Sequence, residues 1–156
     1  MNKKSVLNVL IVIFAILTLL IVGYIFSNSF DSVEESSEKS SEIASILQKI
    51  FDPYQKIPED VFHNLIRKIA HLTEFGVLGV SVGILFLLIF YRTNKIFKIT
   101  PPAFCIGVGA TDEIIQKFTA RGNQITDVLI DATGACLGLA FVALVAFLIH
   151  KKKNKI

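Results

Sequence analysis

Charged and amide side chains recur at helical spacing within the apolar stretches of this 156-residue sequence. Arg67, His71 and Glu74 follow i, i+4, i+7 spacing, which places them on one face of a helix. Further along the chain stand Asp112, Glu113, Gln116, Arg121, Asp127 and Asp131. Arginine offers planar donors for phosphate or carboxylate, and the acids and the amide accept hydrogen bonds from hydroxyl or amide groups. The set therefore predicts binding of an anionic, hydrogen-bonding ligand.

The same residues leave two other functions open. Paired carboxylates acting as acid and base, with His71 carrying protons, would suit an intramembrane enzyme that modifies a lipid headgroup. We do not predict an enzyme, because no activated serine or cysteine nucleophile is evident. A chain of acids with a histidine also suits a small proton-coupled transporter. The chain has room for only four short membrane helices and shows no internal repeat, so several copies would have to assemble as a homo-oligomer to build a transport path.

No metal site and no cofactor are predicted, because the sequence has no paired-histidine spacing such as H-x-x-x-H. Cys105 and Cys136 lie in apolar stretches without C-x-x-C spacing, and we interpret them as small buried hydrophobic residues. The C-terminal lysines are typical of the flank of a membrane span, so nucleic-acid binding is not indicated.

Composition excludes an ordinary soluble domain, because hydrophobic residues make up 53% of the sequence and the mean hydropathy is +0.62. We predict an all-α integral membrane four-helix bundle with spans at Val6–Phe26, Leu72–Tyr91, from Ile99 onward, and Ile125–Ile149. The third span is the least regular. Asp112 and Glu113 end its uncharged run, so spanning requires these carboxylates to lie within or near the membrane.

The distribution of charge predicts the topology by the positive-inside rule. The N-terminus, the connection after the second span and the C-terminal tail hold nine basic residues and no acidic residue. The connection from Ser27 to Ile66 has eight acidic residues and three lysines, so we place it outside. Both termini are therefore predicted to be cytoplasmic. The polar residues of the last three spans then lie at the outer membrane level.

The predicted topology divides the chain into four parts. These are an N-terminal transmembrane anchor helix (1–26), an extracytoplasmic Ser/Glu-rich linker with short amphipathic helices (27–66), a three-helix core (67–150) and a basic cytoplasmic tail (151–156). Ser27–Glu42 holds seven serines and five acids, a composition typical of a solvated linker. Ile43–Phe51 and the run after Pro58 are predicted to be amphipathic helices.

Small residues in the spans favour close helix packing. The predicted packing positions are Gly76, Gly79, Gly83, Gly134 and Gly138. In an alternative to ligand binding, the charged residues only hold these closely packed helices together. We favour a binding site, because an ionised carboxylate at the membrane centre costs about 2.5–3.5 kcal/mol and the sequence carries several acids near that level.

Two segments resemble the signature blocks of the VanZ-like family. Arg67–Gly79 (RKIAHLTEFGVLG) matches a basic residue followed by H-x-x-E-[FY]-x-x-L-G. Ala110–Gly138 (ATDEIIQKFTARGNQITDVLIDATGACLG) matches D-E-x-x-Q-x-x-x-x-R-x-x-x-x-x-D-x-x-x-[ND]-x-x-G-x-x-x-G. Order, spacing and residue identity agree through both blocks. At the position of Asp131 asparagine is frequent in the family.

The resemblance implies a small multi-pass protein of the bacterial cytoplasmic membrane, and the named member of the family gives low-level resistance to teicoplanin. The hypothesis for this chain is that its outward-facing residues bind a membrane lipid or a lipid-linked cell-wall precursor. Arg67 and Arg121 would bind phosphate or carboxylate. Hydrogen bonds to hydroxyl or amide groups would come from Glu74, Asp112, Glu113 and Gln116. Asp127 and Asp131 would hold Arg121 and the start of the fourth span, and His71 would pair with a carboxylate.

Overall fold

Helices account for all regular structure in the described part of the chain. In a computed structural model, which describes residues 2–30, 33–54, 56–118 and 125–153, no strand occurs. The helices are α1 (Lys3–Phe30), α2 (Val33–Phe51), α3 (Glu59–Thr93), α4 (Thr100–Phe118) and α5 (Ile125–Lys153). The predicted all-α class is confirmed.

Three of these helices are long and apolar enough to cross a membrane: α1, α3 and residues 126–152 of α5. Large apolar side chains are exposed along α1 and α5, with Leu20 and Phe141 as examples. Extended exposed apolar surface of this kind is typical of a face that contacts lipid. The structure is therefore that of a membrane-type protein.

The third predicted span corresponds to α4, which is not among these three helices. Its prolines Pro101 and Pro102 lie in the first turn, where a missing N–H breaks no internal hydrogen bond. Its 19 residues also include Asp112, Glu113 and Lys117, and these charges reduce its apolar character. Four membrane spans therefore stay a prediction.

The segment after the first span differs from the predicted solvated linker. α1 continues to Phe30 and α2 begins at Val33, so most of Ser27–Glu42 is helical. Glutamate and lysine favour helix formation, and the apolar residues of the second half of α2 give it a face that packs on α3. The linker prediction is corrected to this extent, whereas a helix over Ile43–Phe51 is confirmed.

α3 joins the amphipathic run after Pro58 to the second predicted span in one uninterrupted helix of 35 residues. Glu59 and Asp60 occupy its first turn, where carboxylates interact favourably with the helix dipole. At the other end Asn94 adopts the left-handed conformation, φ 58°, and its N–H donates to Phe90 O over 2.7 Å. At 1.5 Å per residue α3 extends over about 52 Å, longer than a bilayer core.

A compact turn connects α2 to α3. The Asp52 carboxylate accepts hydrogen bonds from the backbone N–H groups of Lys56, over 3.0 Å, and Ile57, over 2.7 Å. Gln48 donates from its side chain to Ile57 O over 3.0 Å. Because the backbone N–H groups stabilise the ionised form, they hold the pKa of Asp52 below its ordinary value.

α3 and α5 run parallel, with their backbones in contact. The glycines predicted to favour packing all lie at this interface: Gly76, Gly79, Gly83, Gly134 and Gly138. A Cβ atom on Gly79, Gly134 or Gly138 would collide with a carbonyl oxygen of the opposite helix. Only the absence of side chains therefore allows α3 and α5 to approach this closely.

α1 runs antiparallel to α3 and contacts it at several levels. Arg92 Nε donates to Asn8 Oδ1 over 2.8 Å, and the hydroxyl oxygens of Thr18 and Ser81 lie 2.8 Å apart. The apolar core lies between these helices, α4 and α5. It consists of Ile25, Phe75, Leu78, Val82, Cys105, Val108 and Ala135.

We expect Gly138→Ala to destabilise the bundle, because the added methyl group meets Gly76 O and forces α3 away from α5. Overpacking of this kind costs about 1–3 kcal/mol. The measurement is the melting midpoint in detergent, followed by far-UV circular dichroism. Gly107→Ala is the matched control, because a Cβ there meets open space and the midpoint should stay the same or rise. Equal midpoints for wild type and Gly138→Ala would contradict the close packing.

Ionised Asp52 should order the turn between α2 and α3. Because its folded pKa is lowered, this contribution is complete above the ordinary aspartate pKa of about 3.9 and is lost as the pH falls through the folded value. Asp52→Ala should therefore reduce the amide-exchange protection of Lys56 and Ile57 near neutral pH. Asp60→Ala, a nearby acid that neither amide contacts, should leave that protection unchanged. Unchanged protection in Asp52→Ala would exclude this role.

Candidate functional site

Four helices bring polar side chains to one level of the structure. Because α1 and α4 run opposite to α3, their C-terminal turns lie beside the N-terminal half of α3 and the start of α5. We call the resulting set the polar cluster. It consists of Asn28, Ser29, Arg67, His71, Glu74, Asp112, Glu113, Gln116, Asp127 and Asp131.

Two pairs of side chains join α3 to α5 within the polar cluster. His71 Nδ1 lies 3.2 Å from Asp131 Oδ1, and Arg67 Nη2 lies 3.9 Å from Asp127 Oδ2. Parallel helices keep their register from one turn to the next, so residues four apart on α3 meet residues four apart on α5. The i, i+4 spacing of Arg67 and His71 on α3 thus matches that of Asp127 and Asp131 on α5 and produces two pairs.

Asp112 lies at the centre of the polar cluster and is fully buried, at 0% exposure. The Ser29 hydroxyl, from the last turns of α1, donates to Asp112 Oδ1. Gln116 Nε2 donates to Asp112 Oδ2 over 2.7 Å from one turn further along α4. Asp112 and Gln116 are four residues apart and therefore share a face of α4, which is the reason that this contact forms.

Glu113 and Asp131 carry buried oxygens that make no hydrogen bond within residues 2–30, 33–54, 56–118 and 125–153. Glu113 is 6% exposed and both of its carboxylate oxygens are in this state. Asp131 is 1% exposed, and its Oδ2 has no partner there although Oδ1 faces His71. Buried polar atoms are nearly always hydrogen-bonded in native proteins, so each of these oxygens requires a partner such as a water molecule, an ion or a ligand.

Arg67 lies at the rim of the polar cluster, with 31% of its side chain exposed. Its Nε and Nη2 are buried and have no hydrogen-bond partner among the described residues. The 3.9 Å separation from Asp127 is an ion-pair distance, too long for a hydrogen bond. Two N–H groups of the Arg67 guanidinium therefore point into the protein without an acceptor among the described residues.

Glu74 points to a different helix from the other two residues of its predicted face. Asn28 Nδ2, on α1, donates to Glu74 Oε1 over 3.2 Å, whereas Arg67 and His71 face α5. Glu74 also lines a largely apolar groove between α1 and α3 with Tyr24. Of the three residues predicted to share a face, Arg67 and His71 therefore contact α5, whereas Glu74 contacts α1.

Arg121, predicted to bind phosphate or carboxylate, lies outside the described residues. The same holds for the predicted contact in which Asp127 and Asp131 hold Arg121. Among the described residues these two acids face Arg67 and His71 instead.

Asn28 and Ser29 contribute to the polar cluster although the sequence pattern did not identify them. They are short polar residues at the end of an apolar helix, where a solvated end is the ordinary interpretation. The predicted topology could have identified them. It makes the first two spans antiparallel, which places the last turn of α1 at the level of the acids on α3.

The polar cluster has an excess of acidic groups. Its described residues include five carboxyl groups but only one guanidinium and one imidazole. Buried carboxylates are costly unless protons, hydrogen bonds or cations offset their charge. The arrangement can accept hydrogen bonds, offer guanidinium donors at its rim or ligate a cation. His71, Asp112 and Asp131 have potential ligand atoms within 4.8 Å of one another.

Comparison with known proteins identifies one family. Residues 14–147 match the family model described as VanZ/LLP1, so the match includes most of α1 and all of α2 as well as both sequence blocks. No curated protein and no solved structure matches the chain.

His71→Gln and Asp131→Asn should have non-additive effects on the free energy of unfolding, because each removes one member of the same buried pair. Directly contacting residues show coupling energies of about 0.5–3 kcal/mol. The two single variants and the double variant are compared by thermal unfolding in detergent. The pair His71→Gln and Asp60→Asn, distant along α3, serves as an additive control. Additivity of His71→Gln and Asp131→Asn would show that the pair does not couple α3 to α5.

Proposed function

Because the chain belongs to the VanZ/LLP1 family, we propose that it acts in the bacterial cell envelope by binding an anionic membrane lipid or lipid-linked cell-wall precursor at the polar cluster. Such binding changes the exposure of the precursor to antibiotics, and the biological outcome is resistance to teicoplanin-type glycopeptides or envelope homeostasis. The first supporting observation is the family match. The others are the geometry of the polar cluster and the charge distribution of the chain.

The proposed location is the cytoplasmic membrane, with four spans and both termini in the cytoplasm. α4 then crosses together with α1, α3 and α5, with its acids Asp112 and Glu113 inside the polar cluster. In this orientation the N-terminus of α3 faces outward, because the basic segments adjoin the opposite helix ends. A headgroup in the outer leaflet reaches the polar cluster without crossing the membrane.

The observation that carries the proposal is the state of Arg67. Its guanidinium is partly exposed at the rim, yet Nε and Nη2 are buried without hydrogen-bond partners among the described residues. A guanidinium binds phosphate or carboxylate through two parallel hydrogen bonds, and charge-assisted bonds of this type contribute about 1.5–3 kcal/mol each. Arg67 is therefore suited to bind the anionic part of a headgroup.

The acids of the polar cluster provide the complementary half of the site. Glu113 and Asp131 have buried oxygens that accept hydrogen bonds from hydroxyl or amide groups. A lipid-linked cell-wall precursor combines phosphate with sugar hydroxyls and peptide amides. One guanidinium beside several acceptors matches that combination better than it matches a simple anion.

A second candidate function is an intramembrane enzyme acting on a lipid headgroup. The contact between His71 and Asp131 favours it, because a carboxylate that orients an imidazole is a common arrangement for a general base. Turnover of a labelled envelope lipid by the purified protein, lost in His71→Gln, would establish this function in place of binding alone.

Arg67→Gln should abolish protection against teicoplanin. The experiment measures the minimal inhibitory concentration in a sensitive Gram-positive host that expresses wild type, Arg67→Gln or Lys68→Gln, with membrane levels matched by immunoblot. Lys68 is exposed and next to Arg67, so Lys68→Gln removes the same charge outside the polar cluster. We expect wild type and Lys68→Gln to protect equally. Loss of one charge-assisted bond weakens binding by at least about tenfold.

Equal protection by Arg67→Gln and Lys68→Gln would contradict the role of Arg67 in binding. If wild type also fails to protect, the chain does not confer teicoplanin resistance on that host. The envelope ligand would then be identified from lipids that co-purify with wild type and are depleted in Arg67→Gln.

A further inference from the structure

We propose that His71, Asp112 and Asp131 form a binding site for a first-row divalent cation, with Zn²⁺ bound more tightly than Mn²⁺. The three side chains come from α3, α4 and α5, so the ion would join three helices of the polar cluster. This inference goes beyond the proposed envelope function and does not depend on the anionic ligand.

The geometry of the three side chains supports a common ion. His71 Nδ1 and Asp131 Oδ1 are 3.2 Å apart, and all three ligand atoms lie within 4.8 Å of one another. Zn²⁺ binds histidine nitrogen and carboxylate oxygen at about 2.0–2.2 Å, so two ligand atoms of one tetrahedral ion are about 3.3–3.6 Å apart. The separation of the His71 and Asp131 atoms is close to this spacing. Asp112 brings its ligand atom within 4.8 Å of the other two.

Unpartnered buried oxygens provide a second, independent indication of a cation. Asp131 is 1% exposed and its Oδ2 has no hydrogen-bond partner within the described residues. Glu113, at 6% exposure, has two such oxygens and interacts electrostatically with Asp112 and Asp131. A bound ion would be a partner for the Asp131 carboxylate, and its positive charge would stabilise the neighbouring Glu113 carboxylate.

Neighbouring side chains already orient one of the ligands. Ser29 and Gln116 donate to the two oxygens of Asp112 and so fix the orientation of its carboxylate. Metal ligands in proteins are commonly held by such hydrogen bonds from a surrounding shell of residues. The imidazole nitrogen and two carboxylates suit Zn²⁺ or Mn²⁺, and at a given site Zn²⁺ binds more tightly than Mn²⁺.

The sequence predicted no metal site because it lacks two ligands on one helix, such as H-x-x-x-H. The ligands proposed here stand on separate helices and are 41 or more positions away from His71 in the chain. Only the packing of α3, α4 and α5 brings them together.

The experiment measures Zn²⁺ and Mn²⁺ binding to the full-length protein in detergent after treatment with a chelator. Isothermal titration gives stoichiometry and affinity, and elemental analysis gives the metal that is retained after dialysis. We expect one Zn²⁺ per chain. Loss of a residue that only orients a ligand commonly weakens binding by about 10–100-fold, so His71→Gln and Asp131→Asn should weaken it by more than about 100-fold.

Matched controls separate the proposed site from other histidine and thiol ligands. His63→Gln makes the same change outside the polar cluster. Cys136 was predicted to be buried but is exposed, and Cys136→Ser removes its thiol. Both variants should bind Zn²⁺ as wild type does. Equal affinity in His71→Gln and His63→Gln, or absence of stoichiometric binding to wild type, would overturn the proposal.

Two measurements on wild type keep the test independent of whether the variants fold. Zn²⁺ should raise the melting midpoint of wild type, because an ion that binds only the folded protein stabilises it. Co²⁺ in place of Zn²⁺ should give visible absorption from nitrogen and oxygen ligands without a thiolate charge-transfer band. No change in midpoint, or a thiolate band, would overturn the proposal.

Discussion

Close parallel packing of α3 against α5 is the constraint on which the rest of the structure depends. Gly134 and Gly138 have no side chain to separate the two helices, so backbone contact sets their register. That register brings His71 to Asp131, and one turn earlier it forms the second pair of the polar cluster. α1 and α4 then add their polar ends to a site that α3 and α5 have positioned.

The acidic residues of the polar cluster are informative about its function because most of them are buried. Hydrogen bonds within the protein explain how Asp112 can be buried, because its carboxylate accepts hydrogen bonds from Ser29 and Gln116. They do not account for Glu113, whose two oxygens have no partner among the described residues. A cluster that served only to hold helices together would be expected to satisfy its own buried groups. The excess of acceptors beside the Arg67 donors is typical of a site completed by a ligand.

Sequence periodicity predicted the helices and the faces that meet, because four-residue spacing has a direct geometric meaning. Arg67 and His71 share a face as predicted, and the packing glycines meet at one interface. Glu74 lies about 60° around α3 from His71, which is enough for its side chain to reach α1. The contribution of Ser29 depends on helix register, which no local pattern encodes. The second half of α2 was predicted as a helix, but its Ser/Glu-rich first half was missed, because composition describes solvation better than it describes backbone conformation.

The substitution Glu113→Gln tests most directly whether the polar cluster binds a ligand. It replaces a buried carboxyl group by an amide of the same shape and breaks no hydrogen bond among the described residues, so the amount of folded protein should be unchanged. The measurement is teicoplanin susceptibility at matched membrane levels, with Glu59→Gln on the surface as control. We expect Glu113→Gln to fall to the level of the empty vector while Glu59→Gln protects fully. Wild-type protection by Glu113→Gln would contradict ligand binding at the polar cluster.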